Sequence, residues 1–333
     1  MARNFWAGAL ACVSLLAFPA ALGAVAPADS PAAVDGSRKV NSGDYRGAIS
    51  QLQSAVSQNP ADASAYYWLG RAFYELDDYD SSAMAEEKAV SLAPKNSEYH
   101  DWLGRAYGGK ADRERSFFVA KKVKAEFQTA IKLDPSNIDA RRDLEDYDIN
   151  APWIAGGNKD EAQAQVDAIA AIDPVEGHIA RAIYDNEALK KPADAEVEYR
   201  AVLNAKSNHI EPYLQAANFF INENKPSDVL AAVNAAAAVA ADDARLDFYR
   251  GVVAIMNQSD LQSAERNLKS YIASTPARSS WPSHAFARVW LGRLYEALGQ
   301  PAAAAEQYRA ALQLNPNQKE ARARLDKLEK DSR

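Results

Sequence analysis

The sequence predicts an all-α fold, a right-handed superhelix of about eight stacked helix pairs with a capping helix at its C-terminal end. Three observations predict it. The phrase WLGR occurs at 68–71, 102–105 and 290–293, and its first two copies lie 34 residues apart. Punctuation recurs along the chain, with units closing near positions 60, 94, 135, 174, 207, 241, 276 and 316. The chain of 333 residues is 48% apolar, with only 15 Gly and 15 Pro, a balance that favours helices over sheets or disorder. A period near 34 residues is the mark of a stacked helix–turn–helix repeat, whose units bury their apolar faces on their neighbours.

The elements follow in order. Residues 1–24 predict an export signal: Arg3 is followed by the apolar run Phe5 to Leu22 and by the small residues Ala21, Gly23 and Ala24. Removing it takes away Cys12, the only cysteine, so the mature chain has no disulfide or thiolate chemistry. Lys+Arg then falls from 38 to 37 against 45 Asp+Glu, a net charge of −8. An acidic chain with no basic run is a poor nucleic-acid binder, so no nucleic-acid partner is expected. No later stretch is apolar enough to span a bilayer, so no membrane insertion is expected after signal cleavage. Residues 25–35, rich in Ala, Pro and Asp, predict a flexible leader. The array runs from 36 to 316, its first unit having a short first helix and its two units between about 175 and 241 lacking a closing proline. Residues 317–333, highly charged, predict a capping helix and tail.

Each unit repeats one inner pattern. In the second, Tyr66, Leu69, Gly70 and Phe73 recur at helical spacing and share a face. A turn at Asp77–Asp78 follows, then a second helix that stops at Pro94, where proline lacks an N–H and excludes α geometry from the residue before it. Gly70 leaves room for that second helix. These residues resemble the tetratricopeptide repeat family, whose pattern is Trp-x-x-Leu-Gly-x-x-Tyr, then Ala-x-x-x-Phe, then Pro. The match continues through His100, Leu103, Gly104, Tyr107, Phe127 and Pro135, and through Leu291, Gly292, Tyr295, Ala304, Tyr308 and Pro316. Trp68, Trp102 and Trp290 depart from it, standing two places after the usual aromatic, a rotation of about 200°. They are expected to seal each unit to the one before.

The resemblance implies that first helices line a concave wall. The residues left over from packing there are Tyr67, Arg71, Tyr74, Asp101, Arg105 and Arg142. Arg71 and Arg105 hold equivalent places in adjacent units, about 10 Å apart. Two guanidinium groups beside tyrosines predict a receptor for a carboxylate or acidic side chains, unless Glu75, Glu98 and Asp101 pair with them. The Lys and Asn carboxylate clamp of some tetratricopeptide arrays does not carry over, because Arg, Tyr and Asp stand here.

Three stretches break the period: GKADRERSFF at 109–118, NAPWIAGGN at 150–158 and ARSSWPSH at 277–284. Loops longer than packing requires are often functional. Trp153 and Ile154 are too apolar to leave in water, so the second stretch is expected to fold back over the groove or a neighbouring helix, with Trp153 a candidate partner contact.

No catalytic pattern emerges. His100, His178, His209 and His284 fall in separate units with no HExxH spacing, and GxSxG and GxxxxGK[ST] are absent. No cofactor or metal is therefore expected. The expected function is a non-catalytic periplasmic or secreted scaffold, of Gram-negative origin, holding a protein or peptide on its inner wall, and by resemblance serving cell-envelope assembly or export. An enzyme or small-ligand site under the 150–158 loop, using Asn150, Asn158 and Asp160, and a self-associating structural module are the alternatives.

Overall fold

The computed structural model describes residues 29–331. The expected signal peptide and the first residues of the leader lie outside them. Eight helix pairs follow one another: α1 (Pro31–Ser42) with α2 (Tyr45–Gln58), α3 (Ala63–Tyr74) with α4 (Tyr79–Leu92), α5 (Ser97–Glu114) with α6 (Phe117–Leu133), and α7 (Ile138–Asn150) with α8 (Lys159–Ile172). Then come α9 (Pro174–Ile183) with α10 (Pro192–Asn204), α11 (Glu211–Asn222) with α12 (Pro226–Val239), α13 (Arg245–Met256) with α14 (Leu261–Ser274), and α15 (His284–Ala297) with α16 (Pro301–Leu314). The last helix, α17 (Lys319–Asp331), packs on α16 through Ala321 and Leu325. No strand occurs among the described residues. Successive first helices touch along the stack (α3 to α5, α5 to α7, α7 to α9, α9 to α11, α13 to α15), so they form its inner layer.

Local chemistry sets the boundaries. Asp62, Asp78, Asn96, Asn137 and Ser283 each accept a hydrogen bond from a backbone N–H of the first turn they precede. Pro60, Pro94, Pro135 and Pro316 each fall just past the end of a second helix. Pro174 stands instead at the first position of α9, where its missing N–H costs nothing. The glycines of α1, α5, α13 and α15 have a steric reason. A Cβ on Gly104 would lie 2.4 Å from Phe127, and one on Gly292 would lie 2.3 Å from Tyr308. Gly36 faces Leu52 and Gly251 faces Leu268 in the same way. The aromatic or aliphatic residue of the second helix fills the space the glycine leaves.

Four details differ from the sequence reading. Residues 31–35, expected in the leader, are the opening turns of α1, capped by Ser30, so the first helix of the first unit is full length at 12 residues. The units between 175 and 241 are regular pairs, α9 extending through a single π-helical turn at Tyr184–Ala188. The stretch 109–118 is not a loop: α5 runs on to Glu114 and only Arg115 and Ser116 separate it from α6. The extension is held on α4, where Gly109 leaves room for the Tyr79 ring and Lys110 and Arg113 both pair with Asp80.

The fourth concerns 277–284, expected only to separate the last two units. It crosses to the beginning of the chain. The Tyr45 hydroxyl donates to the Ala277 carbonyl (2.8 Å), and Arg278 donates to the carbonyl of Asn41. The Ser279 amide and hydroxyl donate to the Glu75 carboxylate at 2.8 and 3.0 Å. Pro276 lies against Gly43, whose φ of +82° and missing Cβ both suit the contact. Trp281 anchors the strap at its own end, under Arg245 and Arg278. The stack thus curves until the exit of its seventh unit meets the first and second.

Candidate functional site

The inner wall of the second, third and fourth units carries the predicted site residues, and most of them are used up there. Tyr67 is 3% exposed. Its ring stacks on Tyr99 with centroids 4.9 Å apart, and its hydroxyl donates to Glu98 at 2.5 Å while accepting from Arg71 at 3.2 Å. Arg71 lies between two indoles, its guanidinium carbon 4.6 Å from the Trp68 ring and 4.1 Å from the Trp102 ring. Its Nε is buried without a hydrogen-bond partner. Arg105 also packs on Trp102, at 4.7 Å. The two predicted arginines therefore share one tryptophan, in the order Trp68, Arg71, Trp102, Arg105. Tyr74 completes the surround with its ring 5.6 Å from that of Trp102.

Arg105 donates to Asp143 through Nε at 2.5 Å and reaches Asp101 at 3.1 Å. Asp101 is itself 2% exposed, and burial pushes its carboxyl up against the opposing pull of Arg105. Arg142 donates to Glu176 at 3.1 Å and to Gln215 at 2.6 Å, reaching past α9 to α11. The expectation of arginines free to receive a carboxylate is corrected on this point: Arg105 and Arg142 already hold carboxylates of the wall, and Arg71 is sandwiched. Asp143, Glu176 and Gln215 are the partners the sequence reading missed. Their spacings of 38, 34 and 73 residues from the arginines they meet match one or two repeat periods, and that was the available signal.

The same helices turn other carboxylates to water. Asp139 and Asp146 flank Arg142 and Asp143 on α7, are exposed, and make no ion pair among the described residues. Asp146 accepts from Asn150 (2.9 Å), and although its side chain reaches water, the crowding of the concave wall around it and the nearby Glu187 raise its pKa. Burial and the neighbouring acids also raise Glu176, against Arg142. Behind the wall two carboxyls are buried outright. Glu145 is pushed up to about 8 by burial. Glu86 is fully buried with neither oxygen hydrogen-bonded, and burial raises it well above the usual carboxylate range. Glu86 stands where Phe127 and Tyr308 stand in their units, against Gly70.

The tryptophans behave largely as read. Trp102 packs on Tyr67 and Tyr74 of the preceding unit, and Trp290 is buried in the cluster built from the preceding units. The 150–158 loop does fold back, but onto the second helix α6 rather than over the wall. The Tyr147 hydroxyl shares its proton between the carbonyls of Ala120 and Ala155 at 2.8 and 2.7 Å. Lys124 donates to Asp148 at 2.6 Å and to the Gly156 carbonyl at 2.7 Å. The loop buries only Ala155, leaving Trp153 85% exposed, against the expectation that water would be too costly for it. Asn150, Asn158 and Asp160 do not converge beneath it: Asn158 caps α8, accepting from the amide of Asp160, and Asn150 bonds Asp146. Among the described residues no group of three or more His, Cys, Asp or Glu has an arrangement suited to a metal ion.

Two stretches of the chain are similar to a known family. Residues 36–97 and 285–318 each match a family model described as Tetratricopeptide repeat. No curated protein matches the chain. Among solved structures, a chain of the APC/C hetero-tetramer Cut9–Hcn1 is similar with a TM-score of 0.52 at 11% identity, over 85% of this chain and 52% of that one. The chain thus spans about half the length of that relative. A tetratricopeptide repeat protein from Parabacteroides merdae gives 0.46 at 14% identity, over 80% of this chain and 98% of that one. A thermophilic TPR protein of Thermus thermophilus gives 0.45 at 17% identity, over 67% and 97%.

Proposed function

Because the chain is a tetratricopeptide repeat protein, a class of protein-interaction scaffold, we propose that it works without catalysis, by holding a basic segment of a protein or peptide partner along its inner wall. One observation carries the chemistry of the partner. The arginines of the wall are consumed by Asp101, Asp143, Glu176 and the indoles, while Asp139 and Asp146 are exposed and make no ion pair among the described residues. A wall whose positive charge is neutralised from within offers its remaining carboxylates to lysine or arginine. The reading extends to location: the apolar run Phe5 to Leu22 and the small residues after it support export beyond the inner membrane, and a role in envelope assembly fits such a scaffold.

Fluorescence anisotropy with labelled lysine-rich and glutamate-rich peptides tests the wall. The basic peptide is expected to bind at least ~10-fold more tightly, and Asp139→Lys with Asp146→Lys to reverse the preference, a difference of about 1.4 kcal/mol or more. Preference for the acidic peptide, abolished by Arg71→Glu with Arg105→Glu, would restore the carboxylate-receptor reading instead. Export is checked by intact mass: the protein recovered from the producing cell is expected to lack the residues up to Gly23 or Ala24.

A further inference from the structure

The outer side of the third and fourth units carries a feature that the inner wall does not use. Helix α6 begins with Phe117 and Phe118, 53% and 75% exposed. Beside it stand Trp153 and Ile154 on the docked loop, 85% and 48% exposed. Four large apolar side chains therefore project from one convex region of a highly charged chain. Phe117, Lys121, Lys124 and Gln128 follow one stripe of α6, and the last three line an open hollow of about 490 Å³ together with Trp153 and Ile154. On the adjacent stripe, Lys122 lies 5.6 Å above the Phe118 ring.

The charge around this patch is the second observation. Arg115, Lys121 and Lys122 are exposed and make no ion pair among the described residues. The nearby acids are occupied: Lys124 neutralises Asp148 and Glu161, Glu126 is bonded to His100, and Glu114 lies 3.5 Å from Lys110. Asp112, at the end of α5, and Asp160, at the start of α8, are the exceptions. The patch is thus locally cationic on a chain whose formal net charge is −7. Phe118 and Trp153 stand out of the surface, 75% and 85% exposed, on either side of that shallow, open hollow.

We propose that this face docks the protein on an anionic lipid surface. Aromatic side chains settle at the boundary between headgroups and acyl chains, and lysines beside them meet the anionic headgroups. Neither alone holds a protein on a bilayer, but the two together supply the paired signals that stable attachment needs. The attachment is peripheral, since no helix among the described residues is long and apolar enough to cross a membrane. The rigid seating of the loop through Tyr147 and Lys124 keeps Trp153 and Ile154 presented, so little ordering is lost on contact. An acidic protein partner would share the charge but would call for a concave or flat apolar core, and a second copy of this chain would bring net negative charge without matching the projecting rings.

Sedimentation of the full chain with vesicles tests the proposal. Phosphatidylcholine vesicles containing phosphatidylglycerol are expected to bind the protein at low salt, pure phosphatidylcholine vesicles to bind it at least ~10-fold less, and added salt to weaken the binding. Lys121→Glu with Lys122→Glu is expected to lower partitioning by at least ~10-fold, at about fivefold per lysine lost. Phe118→Ala with Trp153→Ala should do likewise and remove any blue shift of tryptophan emission on the vesicles. All four positions are exposed, so the variants keep their fold, which far-UV circular dichroism verifies. Equal binding by parent and both double variants overturns the proposal, because attachment then resides elsewhere in the chain. Absence of binding to the anionic vesicles overturns it too. So does a dimer in light scattering that the Phe118 and Trp153 changes dissociate while vesicles remain unbound, which would make the patch a contact between copies.

Discussion

The folded protein is expected to be more stable at pH 5 than at pH 8, by on the order of 2–4 kcal/mol, and Glu86 and Glu145 are the principal cause. Both are buried, and neither Glu86 oxygen nor the Glu145 Oε1 has a hydrogen-bond partner. Burial raises Glu86 well above its ordinary range, with Arg71 pulling it down and Glu98 and Asp101 pushing it up. Burial likewise brings Glu145 to about 8, against Arg142 and Arg181 and with Asp146 and Glu187. A carboxyl with a raised folded pKa keeps a proton that the unfolded chain releases. Its contribution is complete below the unfolded value and is lost as pH climbs through the folded one. Asp101 and His100 act with the same sign, and His284, whose pKa burial lowers, acts against them. The carboxyls with lowered values, such as Asp44 and Glu161, matter only below about pH 4. Denaturant midpoints across this range measure the slope. Glu86→Leu, which places an apolar side chain where Leu52 and Leu268 stand in their units, is expected to gain about 1–3 kcal/mol at pH 8 and to flatten the profile. A loss of stability at pH 8 with an unchanged slope would show that Glu86 has found a partner in solution.

That carboxylate shows what a repeat makes legible. The period could be read from WLGR and the prolines because the units solve the same packing problem and several do so with the same residues, so local signals reinforce one another along the chain. Glu86 was visible in principle, as a charged residue sixteen places after Gly70 where Leu52 and Tyr308 follow their own glycines by the same interval. The strap was not visible. Its bonds from Arg278 to Asn41 and from Ser279 to Glu75 span more than 200 residues and depend on curvature accumulated from one unit to the next between the first and the seventh, none of which leaves a mark in any one segment. The helical nature of 109–114 was hidden because Gly108 and Gly109 are poor helix formers. Packing of Tyr79 on Gly109 and the pairing of Lys110 with Asp80 override that propensity.

The arginines illustrate a different limit. The sequence placed Arg71 and Arg105 on one wall but could not say which neighbour would claim them, because several carboxylates lie within reach at similar spacing. Coordinates assign Arg105 to Asp101 and Asp143, and Arg142 to Glu176. The sign of the surface left for a partner changes with that assignment. A wall can hold many arginines and still present carboxylates.

Replacing Trp102 by Ala is expected to cost about 3–5 kcal/mol, the largest effect of any single change on the wall. The indole joins the second and third units: Arg71 and Arg105 both lie over its ring, and the Tyr67 and Tyr74 rings meet it nearly edge-on at 6.4 and 5.6 Å. Its removal strips Arg71 of one of the two rings that hold it while leaving the Nε buried. The stability of a stacked array is close to a sum of unit and interface terms, so a loss confined to one interface should uncouple the units on either side. Urea unfolding of the variant is therefore expected to separate into two steps, the earlier one belonging to the units before Ser97. Trp68→Ala removes one ring from Arg71 and should cost less, about 1–2 kcal/mol. Trp153→Ala, at an exposed position, should stay within about 0.5 kcal/mol. A single unshifted transition for Trp102→Ala would mean that the helices of the second and third units hold together without it, and that the ladder of rings and guanidinium groups is a consequence of their packing rather than a cause.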